Sequence, residues 1–437
     1  MAPTPEKHRL NRSEKKLFIW SGLVIALFLA LGFGWRAFNA DPVVQIPTPT
    51  MPNPNAFDFY VKAGQAKVAA PNPAVDPVHD FRTPPASPQE LKRRYPTAAK
   101  EAWLRKNAKA LQLLRQGFRY EYRQPPTRSF TSMLFHRYAP FRELARLLSV
   151  ECHARAERGD WAGASQSALD ILHLGSDVPR GGPLIAALVG SAIQAIGRRE
   201  LQKIIPHLDA AAARAGATRL EKLIEQHVTA TETLQEEKWL GQAGLLETMR
   251  ENQWRRGVAT DFSLRDKVQT WVVSKRTVLN NFNSMMDALI ANARRPYTQQ
   301  QPLPMPGDPL TQMMTSVLPN SRFHAAHSEA GNALLLVALA LQAFRLEHGT
   351  YPAQLAELVP TYLKRVPIDP FGSGESLSYR RVGQNYVLWS IGPDGVNNSG
   401  RPIDNNRPTN VAPNRWESSQ RLVQPGSRGD FVAGINR

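Results

Sequence analysis

The sequence predicts a mainly α-helical membrane protein with a small α+β module near its C-terminal end. Three observations lead to this prediction. An uncharged apolar run occupies residues 17–35, apolar residues recur at helical spacing over residues 97–294, and two alternating strand patterns lie within residues 377–391. The expected fold class is therefore mainly α: an N-terminal transmembrane helix, an exported α-helical domain with an αα-hairpin, and a C-terminal module of one helix and an antiparallel hairpin.

The apolar run from Leu17 to Trp35 is nineteen residues long and carries no charge. A helix of that length spans roughly 28 Å, which matches the hydrocarbon thickness of a bilayer. The leader before it contains five lysines and arginines, so the positive-inside rule keeps the N-terminus in the cytoplasm. A cleaved signal peptide is the alternative, but its apolar region is normally only about 7–15 residues. We expect a cytoplasmic leader over 1–16, an uncleaved single-pass anchor over 17–38, and the bulk of the chain outside the cytoplasmic membrane.

Composition restricts what the exported part can be. The single cysteine, Cys152, excludes an internal disulfide, so packing alone must hold the exported fold together. The formal charge of +17, from 54 Lys+Arg against 37 Asp+Glu, predicts attraction to anionic surfaces such as lipid head groups, acidic wall polymers or nucleic acid, and charge alone does not choose among them. With the anchor, the favoured partners are the cytoplasmic membrane and envelope proteins rather than nucleic acid.

Proline-rich sequence follows the anchor. Residues 39–96 contain many prolines and are typical of a semi-extended spacer that holds the body away from the membrane. Residues 55–70 interrupt this pattern with helical character and an aromatic side, so we expect them to dock on the body.

Residues 97–298 have the pattern of packed helices. The sequence Gly159-Asp160 ends one helix and begins the next, which predicts an αα-hairpin. The apolar run at 184–196 is too short to span a membrane and predicts a buried core helix. Four prolines between residues 299 and 309 indicate a boundary, and we assign residues 299–319 to a linker.

The C-terminal module is assigned to residues 320–405, followed by a flexible tail over 406–437. An apolar helix ends at Gly349, and Pro352 prevents its continuation. Two alternating segments, at 377–380 and 386–391, then predict a hairpin.

Three blocks of this module follow one another in a recognisable order. They are FRLEHGTYP at 344–352, VPIDPFG at 366–372 and WSIGPDG at 389–395. In this order they resemble the C-terminal half of the major pseudopilin of type II secretion. The resemblance covers about residues 328–405 and implies a long helix packed against a small antiparallel sheet. The anchor carries Lys16-Leu17-Phe18 where a pseudopilin has its peptidase site, so the module is expected on a different kind of membrane protein.

The resemblance also implies a calcium loop after the last strand. Ser390 and Asp394 match the start of that loop, and Asp404 lies where a later acidic ligand would fall. Calcium takes six to eight oxygen ligands, so two carboxylates predict a weak site. The alternative interpretation is that Asp394-Gly395 and its neighbours only form turns.

A basic region with interleaved aromatic residues occupies residues 92–128. Its candidate contacts to an anionic surface are Arg93, Arg94, Arg105 and Arg119. Arginine beside aromatic residues can bind single-stranded nucleic acid. A lipid-proximal or solvated basic face is the favoured interpretation, because the spacer begins at a membrane.

No sequence motif for catalysis is present: the chain lacks a Walker loop, a dinucleotide fingerprint, a His-Glu-x-x-His helix and a nucleophile elbow. His324 and His327 are three residues apart, but without an evident third ligand they are interpreted as solvated or capping residues. The predicted function is an interaction or scaffolding role in the bacterial cell envelope, beside a secretion or pilus-like system. The alternatives are an exported hydrolase acting on wall polymers and a binder of anionic polymers or nucleic acid.

Overall fold

The computed structural model describes residues 12–70, 96–126, 128–129, 138–250, 263, 266, 272–316, 318–403 and 423–433. These residues are mainly helical, with one small antiparallel sheet, which confirms the coarse fold class. The N-terminal helices are α1 (Arg12–Phe38), α2 (Ala56–Ala66), α3 (Thr97–Lys106), α4 (Ala108–Gly117), α5 (Ala139–Glu157) and α6 (Trp161–Asp177). The later helices are α7 (Leu184–Ile204), α8 (Ala210–Glu225), α9 (Ala230–Arg250), α10 (Lys275–Ala293), α11 (Pro309–Thr315) and α12 (Ser321–His348).

Local sequence sets the helix ends. Asp160 accepts a hydrogen bond of 2.9 Å from the Gly163 amide and caps α6, while Gly159 adopts φ 78° between α5 and α6. These two residues confirm the predicted αα-hairpin. Gly349 ends α12 in the left-handed conformation, at φ 76°, and its amide donates to the Arg345 carbonyl. Its position matches the predicted C-cap.

The largest hydrophobic core joins the helical body to the C-terminal module. It combines buried residues of α6, α7 and α8 with the inner face of α12 and with the sheet. Within it, Leu339 of α12 and Leu172 of α6 are almost fully buried, as are Phe371 and Leu388 of the module. The helix that sequence assigned to the module therefore also forms the core of the body.

Two further cores complete the body. One is formed by α2, α4, α5, α6 and α7, where Tyr60, Phe141 and Leu148 are completely or almost completely buried. The other lies between α9, α10 and α11 around Phe282 and Met286.

The sheet has the order β1 (Ser378–Val382), β2 (Asn385–Ser390) and β3 (Phe431–Val432), with both pairs antiparallel. The predicted hairpin is present, and Gly383 makes its turn at φ 58°. β3 lies in the segment that sequence assigned to the flexible tail. Its two residues gave no strand pattern long enough to detect, yet both are buried against β2.

The region after α1 lies along the body. α2 packs on α4 and α5 as expected, Val44 packs on the core between α9 and α10, and the Val68 amide donates to the Asn107 side chain at 2.8 Å. Residues 41–68 are therefore docked at several points rather than extended away from the body.

Helix α1 and helix α12 differ in the burial of their apolar residues. Within the described residues, only the stretch Pro309–His348 is both long and apolar enough to cross a membrane, and 67% of its apolar window is buried, as in a core helix. Leu23–Phe38 forms a shorter apolar helical stretch. Its side chains are exposed, with Phe28 70% and Phe33 72% accessible.

Candidate functional site

A groove of about 430 Å³ separates the helical body from the loop at 365–374 of the C-terminal module. One wall is formed by α7 and by the end of α8, and the other by the N-terminal half of α12 together with that loop. Leu188 and Ile368 are exposed on its walls, at 37% and 57%, while Leu336 is buried at its base. Sites of this size with aliphatic walls and a few polar groups are typical of ligand or peptide binding.

The N-terminal half of α12 supplies the polar side of the groove. Its sequence from 321 to 332 mixes alanine with polar residues, whereas the following residues to 344 are almost all apolar. The helix therefore changes from a groove wall to a buried core element along its length. Ala325 and Ala333 keep the groove open beside larger polar neighbours.

Three charged or titratable side chains meet at one side of the groove. Glu329 on α12 lies 3.2 Å from the guanidinium of Arg322, two turns earlier on the same face of the helix, and 3.8 Å from the ring of His227 in the α8–α9 turn. The side chain of Arg322 is largely buried, whereas those of Glu329 and His227 are 27% and 40% accessible. A bound N–H donor could therefore reach the Glu329 carboxylate without displacing Arg322.

The base of the groove is a closed network of amide and hydroxyl groups. The Gln194 side-chain carbonyl accepts hydrogen bonds of 2.9 Å from both Ser328 and Asn332. The Gln194 amide donates to the Ser176 hydroxyl at 3.2 Å. Because buried polar groups are costly when unpaired, this network fixes α7 against α12 and gives the groove a rigid floor.

Arg198 adds a cation behind this floor. Its guanidinium donates to the Ser328 hydroxyl at 3.2 Å and to the side-chain oxygen of Asn332 at 3.0 Å. Desolvation by burial lowers the pKa of Arg198 to about 10. Gly331 makes room for this side chain, since a Cβ there would lie 2.9 Å from Arg198 Nε.

Two of the histidines of α12, His324 and His327, have different surroundings. His324 is exposed on the groove, and partial burial lowers its pKa. His327 packs against Phe431 of β3 with ring centroids 4.9 Å apart, and burial, followed by the charge of Arg198, lowers its pKa to about 4. In the part of the chain that the structure describes, no group of three or more His, Cys, Asp or Glu side chains could hold a metal ion.

The residues of the implied calcium loop have separate partners. The Ser390 hydroxyl donates to Asp369 at 2.6 Å, inside the module. Asp394 accepts from the backbone amides of Val396 at 3.2 Å and Gly429 at 3.1 Å. Asp404 lies outside the described residues. Backbone amides of the module thus already occupy the Asp394 carboxylate and help to hold the loop. The calcium site stays a prediction.

Asp430 holds this loop, and sequence reasoning did not identify it. Its two carboxylate oxygens accept from the amides of Asn398 at 2.9 Å and Gly400 at 2.6 Å, and the residue is fully buried. The only sequence signal was an acidic residue immediately before a short apolar pair, which is too weak to predict such a contact. The carboxylate of Asp430 is therefore turned inward.

The predicted basic surface divides into buried pairs and exposed residues. Arg105 and Arg119 are exposed, and neither has an ion pair within the described parts of the chain. Arg115 instead pairs with Glu151 and Asp170, and Lys100 pairs with Glu157. Arg93 and Arg94 lie outside the described residues. Lys100 and Arg115 thus serve to join helices.

Comparison of the chain with known protein families, with curated proteins and with solved structures finds no match.

Proposed function

We propose that the protein is a single-pass, membrane-anchored bacterial envelope protein whose exported body binds a partner protein in the groove between α7 and α12. Its role is interaction or scaffolding, beside a secretion or pilus-like system. The membrane anchorage in this proposal rests on the exposure of the apolar side chains of α1. Trp20, Phe28, Phe33 and Trp35 are each more than 60% accessible, although large apolar side chains are normally covered in a folded protein.

The bilayer is the environment that suits these side chains. Residues 17–35 are uncharged, Arg36 follows them, and aromatic residues stand near both ends of the run. The basic leader supports an N-terminus in the cytoplasm and a body on the other side. The helix-and-hairpin arrangement of α12, β1 and β2 supports the resemblance to pseudopilins and hence a place beside a related machine.

The groove supports the binding role. Exposed Leu188 and Ile368 would lose water on contact with an apolar segment, at about 25 cal/mol for each Å² of apolar surface buried. Glu329 offers a carboxylate to an N–H group of the same segment. We therefore assign to the groove a stretch of a partner protein that presents apolar side chains together with amide or ammonium donors.

A topology reporter tests the membrane part. Alkaline phosphatase fused after Arg437 should be active in intact cells, because it folds only outside the cytoplasm. A fluorescent reporter that works only in the cytoplasm should be dark at the same position. The reverse result would overturn the proposal.

Site-specific photocrosslinking tests the groove. A photoreactive amino acid at Leu188 should capture a discrete partner in intact cells, and the Ile368→Glu substitution on the facing loop should abolish that capture. Val382→Glu, at an exposed valine of β1, is the matched control and should leave capture unchanged. Capture that survives Ile368→Glu would show that the groove is not the binding surface.

A further inference from the structure

The junction between α1 and the body is short and fixed. α1 ends at Phe38, where the backbone and side-chain amides of Asn39 donate to the Trp35 carbonyl at 3.0 and 2.9 Å. Three residues later, the Asp41 carboxylate lies 2.6 Å from the ammonium of Lys275, the first residue of α10. Three residues of extended chain reach about 10 Å at most. The N-terminus of α10 is therefore held close to the end of α1.

The ion pair between Asp41 and Lys275, called the clamp below, is not a loose surface pair. The Lys275 side chain is only 8% accessible, so its charge needs the Asp41 carboxylate as a partner. Val44, three residues further on, packs against the core between α9 and α10. The chain leaving α1 is thus attached to this end of the body at two consecutive points.

The surface beside the clamp is apolar and basic. Val272 is 65% exposed, and Arg276 is exposed without an ion pair among the described residues. Ser274 caps α10 by accepting from the Thr277 amide at 3.1 Å, so the positive end of the helix dipole faces the same way. Arg36, in the last turn of α1, adds a further positive charge nearby.

We infer that this end of α10, comprising Val272 and residues 274–276, lies directly on the bilayer surface, where Arg276 contacts the phosphates of anionic lipid head groups. The placement rests on the proposed insertion of α1, because the bilayer boundary then lies near Trp35 and Arg36. Basic residues at such a surface are attracted to anionic lipids, and exposed apolar residues enter the head-group layer. The described part of the proline-rich segment, residues 41–68, then does not hold the body away from the membrane.

The orientation has a consequence for the rest of the body. α10 has 19 residues and is about 28 Å long. Its other end leads to Tyr297 and Thr298, which contact Phe371 and Ser373 of the C-terminal module. The clamp and the module therefore lie at opposite ends of α10.

Fluorescence quenching in proteoliposomes tests this placement with the full chain. The native Cys152 is 1% exposed and burial raises the pKa of its thiol, so a thiol-reactive dye attaches only to an introduced cysteine. Val272→Cys reports on the clamp, and Val382→Cys, at the tip of the β1–β2 hairpin, is the matched control. The quencher is a phospholipid with a nitroxide on its head group, in vesicles of phosphatidylcholine with or without phosphatidylglycerol.

The expected result is strong quenching at position 272 and little at position 382. In vesicles with phosphatidylglycerol, Arg276→Gln should lower the ratio of quenched to unquenched label at position 272 about fivefold, the equivalent of about 1 kcal/mol for one basic residue. Asp41→Lys should reduce quenching at 272 by breaking the clamp, and the exchange of charges in Asp41→Lys with Lys275→Asp should restore it.

Membrane extraction separates this inference from the proposed function. If alkaline carbonate leaves the protein in the vesicles but the label at 272 is no more quenched than the label at 382, the surface placement is overturned and the anchor stands. If carbonate releases the protein, the anchor itself is wrong.

Discussion

The hydroxyl of Tyr60 on α2 donates a hydrogen bond of 2.5 Å to the carboxylate of Asp177 on α6, and both residues are buried. This contact ties the segment after α1 to the centre of the body. Tyr60 also stacks on Tyr122, with ring centroids 5.5 Å apart.

Tyr60→Phe should destabilise the body by about 1–3 kcal/mol, because it leaves a buried carboxylate without its donor. Urea unfolding followed by circular dichroism measures the change. Tyr120→Phe is the matched control: Tyr120 stacks on Phe59 near the surface, and its ring contact survives the substitution, so little change is expected. Equal losses in both variants would show that the hydrogen bond contributes nothing specific.

The stability of the body should depend on pH through Asp177. Desolvation by burial raises the pKa of this carboxyl to about 6 from its usual 3.8, although Tyr60 and Arg180 act in the opposite direction. The folded state then keeps a proton that the unfolded state has released. The stabilisation is complete below pH 3.8 and is lost as the pH rises to about 6, by up to about 3 kcal/mol.

Asp177→Asn isolates this effect, because the amide does not titrate. The unfolding free energy of the native protein relative to Asp177→Asn should fall between pH 4 and pH 6.5 and then become constant. Denaturant titrations at each pH measure it. A difference that rises with pH would mean that the buried carboxyl has a lowered pKa.

Gly331→Ala should destabilise the protein by about 1–3 kcal/mol, because the new Cβ would lie 2.9 Å from Arg198 Nε and would strain the floor of the groove. The loss should shrink in an Arg198→Met background, and a double-mutant cycle measures this coupling. Gly216→Ala in α8 is the control. Its Cβ would make only an ordinary 3.4 Å contact with Leu339, so alanine should be neutral or stabilising there.

Asp430→Asn should loosen the loop after β2, because an amide cannot accept from both the Asn398 and Gly400 backbones. We expect a loss of about 1–3 kcal/mol and faster hydrogen exchange at those two amides. Asp58→Asn, at an exposed position of α2, is the control and should change stability by less than about 0.5 kcal/mol. Unchanged protection at both amides would contradict the role assigned to Asp430.

The elements that sequence predicted well carry strong local signals. Gly159 and Asp160 marked the αα-hairpin, Gly349 marked the end of α12, and alternation marked β1 and β2. Each signal acts over a few residues and depends on the conformation of the backbone. It can therefore be detected in a single sequence.

The candidate site depended on contacts that no local pattern encodes. Glu329 and His227 are about one hundred residues apart and meet only because α8 packs against α12. Asp430 reaches its loop from within the segment that sequence assigned to a flexible tail. The partners of Arg115 and Lys100 could not be predicted for the same reason, since their carboxylates lie on other helices.

Because α12 is part of the core of the body as well as that of the sheet, the C-terminal module is not a separate structural unit in this chain. A truncation before Ser321 would remove α12 from the core of the body and expose Leu172 and Leu201 to water. The piece removed would likewise expose the flank of α12 that now contacts α8. Neither the helical body nor the sheet therefore keeps its core without α12.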